Sequence, residues 1–361
     1  MADLMTSVWE FEKLQTQYKD FKVPAVAFSV GGTDLVKGTA ALVSVEAVLC
    51  MDGASSVKVE FGNCYDVKNG SYDSKIKSAA VPGKKVELQM GYNSSLLKIF
   101  QGYLSNVRMR ASAEDGFGVE FTALDVRRLM MTDNSHARQY KIKNYSDAVS
   151  EILKRYAKLA QAKVDATDEN MQDGLVWQYG SDYDFITGDL IGSGRVDREF
   201  FAAVDTVYFR KPKSITSPVI KLKPGGGLIS LETDTEYKNV SYEVLGFDPA
   251  AHNPVSGKAE AKTSGEMADA LGGAGKIYVT DPECTSATRA SAVAQSLARQ
   301  ALEKTQKASI RCIGLPELIP GRFIQIERVD SLVNKKYYIT RVTHTFNKEG
   351  FRTALEAEGW G

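Results

Sequence analysis

The chain has 361 residues, 43% hydrophobic and 25% charged, and its 45 Lys and Arg balance its 45 Asp and Glu. That length holds two or three domains rather than one ordinary core, and the composition excludes a disordered, collagenous or membrane-embedded chain. At zero net charge no long-range field draws it to nucleic acid or to an anionic membrane.

The opening "MADLMTSVWEFEKLQ" sets Asp3, Glu10 and Glu12 among apolar residues, so it has neither the basic lead nor the apolar run of a signal peptide. No stretch reaches transmembrane length, and the expected site of production is the cytosol. Residues 1–22 carry Val8, Trp9, Phe11, Leu14, Tyr18 and Phe21 among charges; they predict a loosely helical N-terminal arm that packs on something. At 23–35 an apolar strand is broken by Gly31-Gly32, a hairpin signal. Strands then dominate through residue 130, in "AVLCM", "SVKVEF", "KVELQMGY", "KIFQGYLSNVRM" and "GVEFTALD".

The period changes at 143–164, where Ala148, Val149, Ile152, Leu153, Tyr156 and Ala160 form one stripe of an amphipathic helix with Ser146 as its expected N-cap. Lys154, Arg155 and Lys158 fall beside the stripe and read as a solvated face. The run "KPGGGLISLE" (223–232) lacks the Gly-Lys-Ser/Thr of a phosphate loop and predicts a turn. Residues 249–276, poor in large apolar side chains, predict a long surface connection. A second helix is expected over 286–308, with Ala290, Val293, Ala294, Leu297 and Ala301 on a narrow face that permits close backbone approach. Cys50, Cys64, Cys284 and Cys312 form no C-x-x-C pair and read as reduced, mostly buried small hydrophobes.

One pattern recurs. "VPGKKVELQ" (81–89) returns as "IPGRFIQIE" (319–327), aligning Pro82 with Pro320, Gly83 with Gly321, Val86 with Ile324 and Leu88 with Ile326. Pro and Gly at the second and third positions fit a type II turn that launches an alternating strand. Further on, "IFQGYLSNV" (99–107) matches "KKYYITRV" (335–342), and "EDGFGVEFTALD" (114–125) matches "KEGFRTALEAEG" (348–359). This ordered trio predicts a duplicated β-rich unit, each copy closed or curled to hide its edges, with a helix in or beside it. The expected division is an arm at 1–22, a first module at 23–130, an inserted mixed α/β segment at 131–215, and a second module at 216–361 containing the connection at 249–276.

Signals for chemistry are few. His136, His252 and His344 show no metal-ligand spacing; His344 shares a strand face with Tyr338, Val342 and Phe346 and reads as a packed, hydrogen-bonded residue. Asp182 and Asp184 in "SDYDF" would share a side if that stretch were a strand, as a glycosidase pair might, or act in a cap or turn. No G-x-S-x-G, G-x-G-x-x-G, H-E-x-x-H or P-loop occurs, so no catalytic, cofactor-binding or metal residue is assigned and the expectation is scaffold rather than enzyme.

"IFQGYLSNVRM", "GVEFTALDVRRLMM", "YSDAVSEILKRYA", "VWQYGSDYDFI" and "AVDTVYFRKP", with the closing "GLPELIPGRFIQIE" and "YYITRVTHTFNKEGFRTALEAE" including His344, resemble the late control protein D family of contractile phage tails. That family includes the hub part of type VI valine-glycine-repeat spike proteins. The resemblance spans roughly 23–361 as an ordered pattern. It implies an α+β, mostly β fold with two similar tube-type β-barrel domains, each with an associated helix, plus the inserted segment. It also implies a baseplate hub of a contractile injection particle (phage tail, tailocin or related system), a homotrimer whose six modules form a pseudo-six-fold ring between a hexameric tail tube and a trimeric spike. A permanent ring needs heterologous contacts burying more than about 2,000 Å² each. Because nothing follows Gly361, the spike is expected to be a separate chain. The other expected partners are tube or tube-initiator proteins, further baseplate proteins and a tape measure protein, with no cofactor, nucleic acid or membrane insertion. The expected localisation is cytoplasmic during assembly and then the particle baseplate. Two alternatives stay open: a tail-tip cell-wall hydrolase using Asp182, Asp184 or Glu199, and the hub of a non-contractile tail.

Overall fold

The computed structural model describes residues 3–38, 40–112, 116–132, 137–171, 174–263 and 274–360. Six strands build the first module: β1 (Pro24–Val30), β2 (Ala41–Cys50), β3 (Ser56–Gly62), β4 (Lys85–Tyr92), β5 (Ser95–Ser112) and β6 (Gly116–Leu124). Six more build the second: β7 (Pro218–Pro224), β8 (Gly227–Thr235), β9 (Gln306–Ile313), β10 (Phe323–Ile326), β11 (Lys336–Asn347) and β12 (Gly350–Trp360). Alternation sends one face inward. In β4, Val86, Leu88 and Met90 are buried while Glu87 and Gln89 are half-exposed, as a period of two requires. Phe28, Phe61 and Phe121 meet inside with ring centroids 6.0–6.3 Å apart.

The duplication extends to topology. The first module runs in the order β1-β4-β5-β6-β3-β2, and the second in the order β7-β10-β11-β12-β9-β8, the same order strand for strand. The second closes into a six-stranded barrel through Lys223↔Gly227 and Pro224↔Leu228. Among the described residues β1 and β2 do not pair, so the first copy is the same sheet left open. The two differ in one direction as well: β1 and β4 are antiparallel, β7 and β10 parallel. Pairing of β2 with β11, from Arg341↔Cys50 to Phe346↔Val45, joins the twelve strands, with the two-residue strand Thr33–Asp34 on the edge of β1, into one thirteen-stranded sheet over one continuous core.

Local irregularities recur in register. Both β5 and β11 carry a bulge, at Ser105 and Thr340. Each bulged hydroxyl donates to the neighbouring strand, Ser105 to the Thr122 carbonyl at 2.9 Å and Thr340 to the Glu356 carbonyl at 3.0 Å. A second pair sits at Val43 and Ile229. The Pro-Gly turns match too: Gly83 N–H donates to Leu104 O and Leu104 N–H to Lys84 O, while Gly321 N–H donates to Ile339 O and Ile339 N–H to Arg322 O. Conserved bulges re-aim strands; four recurring at equivalent places are parts of one plan used twice.

Gly83 (φ +90°) and Gly321 (φ +81°) both occupy the left-handed region, but their surroundings differ. A Cβ on Gly83 meets nothing within 4 Å, whereas one on Gly321 falls 2.5 Å from the Phe201 ring. Gly83→Ala is expected to cost about 1–2 kcal/mol from backbone strain alone, and Gly321→Ala at least about 3 kcal/mol because overpacking adds to it. Urea unfolding of the two variants measures the gap.

Between the modules lies a mixed α/β body with its own core around Ala148, Val149, Ile152, Phe185, Phe200 and Phe209. Its helix spans Tyr145–Lys154 and is capped at Asn144, not at Ser146. The Asp147 carboxylate accepts the backbone N–H of Lys143 and Asn144, while the Ser146 hydroxyl accepts from Thr167 N–H. The predicted helix stops short of 164; Gln161–Val164 is instead a strand parallel to Thr206–Arg210. Arg155, expected on a solvated face, is ion-paired with buried Asp182.

The expected connection at 249–276 is corrected over Asn253–Lys262, an edge strand of a three-stranded sheet in which it pairs with Asn239–Asp248 and that strand pairs in turn with Gly275–Thr280; residues 264–273 lie outside those described. Small residues make the strand possible, because Gly257 lets it approach the backbone of Ala290 and Ser291 on the helix Ala287–Glu303. That helix therefore packs chiefly on this sheet rather than on the barrel, and the chain continues from it into β9 where a longer helix was predicted. All four cysteines are buried and free.

Candidate assembly surfaces

The N-terminal arm packs on both modules. Leu4, Met5, Leu14 and Tyr18 are buried, with a short helix at Phe11–Gln17, and Trp9 N–H donates to Val219 O of β7. Arg322, fully buried, donates to the carbonyls of Leu4 (2.6 Å) and Ser7 (2.9 Å); burial lowers its pKa to about 10. Tyr18 donates to Glu317 at 2.6 Å, and its own carbonyl accepts from Asn93 of the first module. Arg322→Met is expected to loosen the arm without unfolding the modules, since the two carbonyls it releases, of Leu4 and Ser7, both belong to the arm, which can swing them out to water, while the cost of burying the charge is removed from the module. Trypsin cleavage at Lys13, Lys19 and Lys22 should then accelerate at least about tenfold, a change in local opening of about 1.4 kcal/mol, with 23–361 left intact.

The inserted body is fastened to the second module by buried polar groups and to the first by half-buried ones. Arg210 donates to Glu199 (2.6 Å) and to the Gly321 carbonyl of the second Pro-Gly turn (2.6 Å), and Tyr338 donates to Glu199 at 2.5 Å. Burial pushes the Glu199 carboxyl up, and the Arg210 charge opposes that. On the first module, Lys98 of β5 pairs with Asp205 at 3.1 Å, and the Tyr183 hydroxyl accepts from Gly53 N–H at 2.7 Å. A cleft of about 170 Å³ remains beside the Gly83 turn, lined by Lys85, Tyr103, Lys158 and Asp205 among others.

The residues weighed for chemistry do not converge. "SDYDF" is a helical turn capped by the Ser181 hydroxyl, not a strand, so Asp182 and Asp184 are not a same-side pair on a sheet. Asp182 accepts from Arg155 (2.5 Å), Tyr156 (2.7 Å) and Gln178 (2.7 Å) inside the fold, and Asp184 binds back to Ser181. Glu199 belongs to the Arg210 junction. His344 is fully buried, with Nδ1 2.9 Å from the Thr353 hydroxyl and Nε2 3.1 Å from the Leu318 carbonyl, as its strand position predicts. A carbonyl partner requires the proton on Nε2, and burial lowers the pKa to about 4. His252 is exposed in a turn, and His136 lies outside the described residues. Among the described residues no His, Cys, Asp and Glu group is arranged to hold a metal, and no helix is long and apolar enough to cross a membrane.

What the surface offers instead is strand edges and aromatic side chains. Leu175, Trp177 and Tyr179 are exposed along one two-stranded ribbon, with the Trp177 and Tyr179 rings stacked at 6.3 Å. Phe247, Ile277 and Tyr278 are exposed on the three-stranded sheet. A stacked and exposed aromatic pair such as Trp177 and Tyr179 marks a protein contact surface. Sequence reasoning missed the buried charges Arg127, Arg210, Glu317 and Arg322, because nothing in a local window distinguishes a buried arginine from a solvated one.

The family model for the Alg8 N-terminal domain matches residues 26–348. No curated protein matches the sequence. Among solved structures, the 43 kDa tail protein of a Shewanella oneidensis prophage superposes with a TM-score of 0.65 at 11% identity, over 92% of this chain and 98% of that one. A tail protein from Neisseria meningitidis gives 0.66 at 11%, over 93% and 96%. An E. coli component of the type VI secretion system gives 0.58 at 12%, over 92% and 77%. At such identities the likeness is one of fold: the mostly β, barrel-containing architecture is shared with these tail proteins and the type VI secretion component.

Proposed function

The chain belongs to the Alg8 N-terminal domain family, and from that premise and its fold we propose that it is the structural hub of a tail baseplate. The single observation that carries this reading is the strand-for-strand duplication, bulges and turns included, in a fold shared along nearly its whole length with a prophage tail protein and a second tail protein. Two equivalent modules per chain let three copies present six similar faces to a hexameric tube and three to a trimeric spike, with no catalytic step. The proposed particle is contractile, the spike a separate chain, and tube, further baseplate and tape measure proteins its neighbours, assembled in the cytoplasm and then carried in the particle. The type VI component among its structural neighbours supports the spike-bearing end as the location.

The experiment is native mass measurement of the purified chain together with capture of tail tube and spike proteins from the same genome. A trimer that binds both is expected. A chain that binds neither overturns the reading, and peptidoglycan turnover lost on replacing Asp182, Asp184 or Glu199 would put a hydrolase in its place.

A further inference from the structure

The duplication makes a prediction about the outside of the molecule, because one junction between modules is already visible inside it. There, β2 of the first module lies antiparallel against the outer half of β11 of the second, pairing Val45 to Cys50 with Phe346 to Arg341. The equivalent of β11 in the first module is β5, and the equivalent of β2 in the second is β8. Both equivalents carry an edge that no strand covers among the described residues. On its β4 side, β5 is paired only as far as Tyr103; β8 meets β7 only at Gly227 and Leu228. The consequence shows in exposure: Val45, Ala47, Leu49, Val342 and His344 are buried at the internal junction, whereas Arg108, Met109, Arg110, Glu232, Thr233 and Asp234 are exposed.

Superposing the repeats sets the register without further assumption. The bulges align Ser105 with Thr340, and hence 106–111 with 341–346. They also align Leu42 and Ser44 with Leu228 and Ser230, and hence 45–50 with 231–236. Copying the internal register then places Arg108 opposite Asp234, Arg110 opposite Glu232, Met109 opposite Thr233 and Ala111 opposite Leu231. Two opposite-charge pairs fall on one face and the apolar residues on the other. Arg108, Glu232 and Asp234 have no ion-pair partner among the described residues, and Arg110 pairs with Glu60 at the exposed surface of its own module. A register one residue off would set the two arginines against Thr235 and Thr233 in one direction, or against Thr233 and Leu231 in the other, and unpair both charges.

We infer that the free edge of β8 in one copy pairs with the free edge of β5 in a second copy of this chain, in that register, repeating between chains the junction that β2 and β11 make within one. Such a contact is head-to-tail and builds a ring when its rotation closes; it adds a strand to a waiting edge. Directly opposed unlike charges stabilise the pairing and like charges oppose it. The inference rests on the hub reading for its biological setting, and supplies the partner surface that reading leaves open.

The test uses the full chain. Arg108→Glu with Arg110→Glu is expected to weaken self-association by roughly thirtyfold or more, as is Glu232→Arg with Asp234→Arg, while mixing the two variants restores heterotypic association and combining all four changes in one chain restores self-association. Because the four replaced side chains are exposed, unfolding midpoints of the monomer should stay near the parent value. Arg108→Cys with Asp234→Cys should cross-link copies under oxidation, and Arg108→Cys with Glu232→Cys, two residues out of register, should not; the native cysteines are buried. Oligomers that withstand the charge reversals and do not cross-link at 108 and 234 overturn the edge pairing while leaving the hub reading standing. Failure to bind tube or spike proteins removes the hub reading, whatever the cross-link shows, and a chain that stays monomeric and never cross-links removes the pairing.

Discussion

Replacing Arg127 by alanine is expected to destabilise the protein by about 3–5 kcal/mol, the range for removing one partner of a buried charge pair. Arg127 is wholly buried at the end of β6, where the first module passes into the inserted body. Its guanidinium donates to Asp125 at 2.7 and 3.1 Å, to the Met51 carbonyl at 2.8 Å, to the Cys50 carbonyl at 2.9 Å and to the Ser55 hydroxyl at 3.0 Å. Asp125 in turn accepts from the backbone N–H of Ser55 and of Arg127 itself, both at 2.8 Å. Alanine leaves a carboxylate and two carbonyls stranded in the interior, each carrying its own desolvation cost. Lysine keeps the charge but lacks the planar fork that reaches four acceptors at once, so Arg127→Lys should lose more than half as much. Urea midpoints report both variants, and a lysine variant as stable as the parent would show that charge alone, not the fork, holds the β2–β3 turn.

The second large effect is one of pH, and it is hidden in the parent protein by cancellation. Glu317 and His344 are buried around the same loop, since His344 Nε2 bonds the carbonyl of Leu318, the residue next to Glu317. Burial raises the Glu317 pKa from 4.5 to about 7, and one of its oxygens has no hydrogen-bond partner. Its contribution to stability is therefore full below pH 4.5 and is lost as pH rises through 7. Burial lowers the His344 pKa from 6.5 to about 4. Its contribution is full above pH 6.5 and is lost as pH falls through 4. A displacement of this size is worth about 3 kcal/mol for each group, and between pH 4.5 and 6.5 the two oppose each other. Glu317→Gln should thus make the fold lose up to about 3 kcal/mol, relative to the parent, between pH 7 and pH 4. His344→Gln should do the reverse, gaining relative to the parent on acidification. Unfolding at pH 7.5, 5.5 and 4 separates them, because every other titrating group is common to all three proteins. Variants that track the parent at each pH would show that neither group is buried in the form its surroundings favour.

The likeness of 81–89 to 319–327 is one of alternation plus a turn, and both are local properties. Period two dictates which residues face inward, and a Pro-Gly pair with the glycine at positive φ dictates where each strand starts. That is why Gly83 and Gly321 were recognisable as equivalent turns and why the strands beyond them share one order. His344 was legible for the same reason, its strand position implying burial. The helix boundaries were less so: apolar spacing continues past Lys154, but Gln161–Val164 is claimed by pairing with Thr206–Arg210, a partner more than forty residues away in sequence. The strand at Asn253–Lys262 has few large apolar residues because it must sit against a helix at close range, and low hydrophobicity reads locally as a loop.

By itself, then, the order of residues determined the repeat, the sidedness of each strand, the turns and the resemblance to tail hub proteins, because each depends on neighbours within a few positions. Only the tertiary structure decided that, among the described residues, one copy closes into a barrel while the other stays open, that Arg127, Arg210 and Arg322 are interior cations, and that the outer part of β5 and most of β8 each keep one edge without a strand partner. Those outcomes depend on which distant groups arrive to satisfy a charge or a row of backbone hydrogen bonds, and no local window contains both members of such a pair.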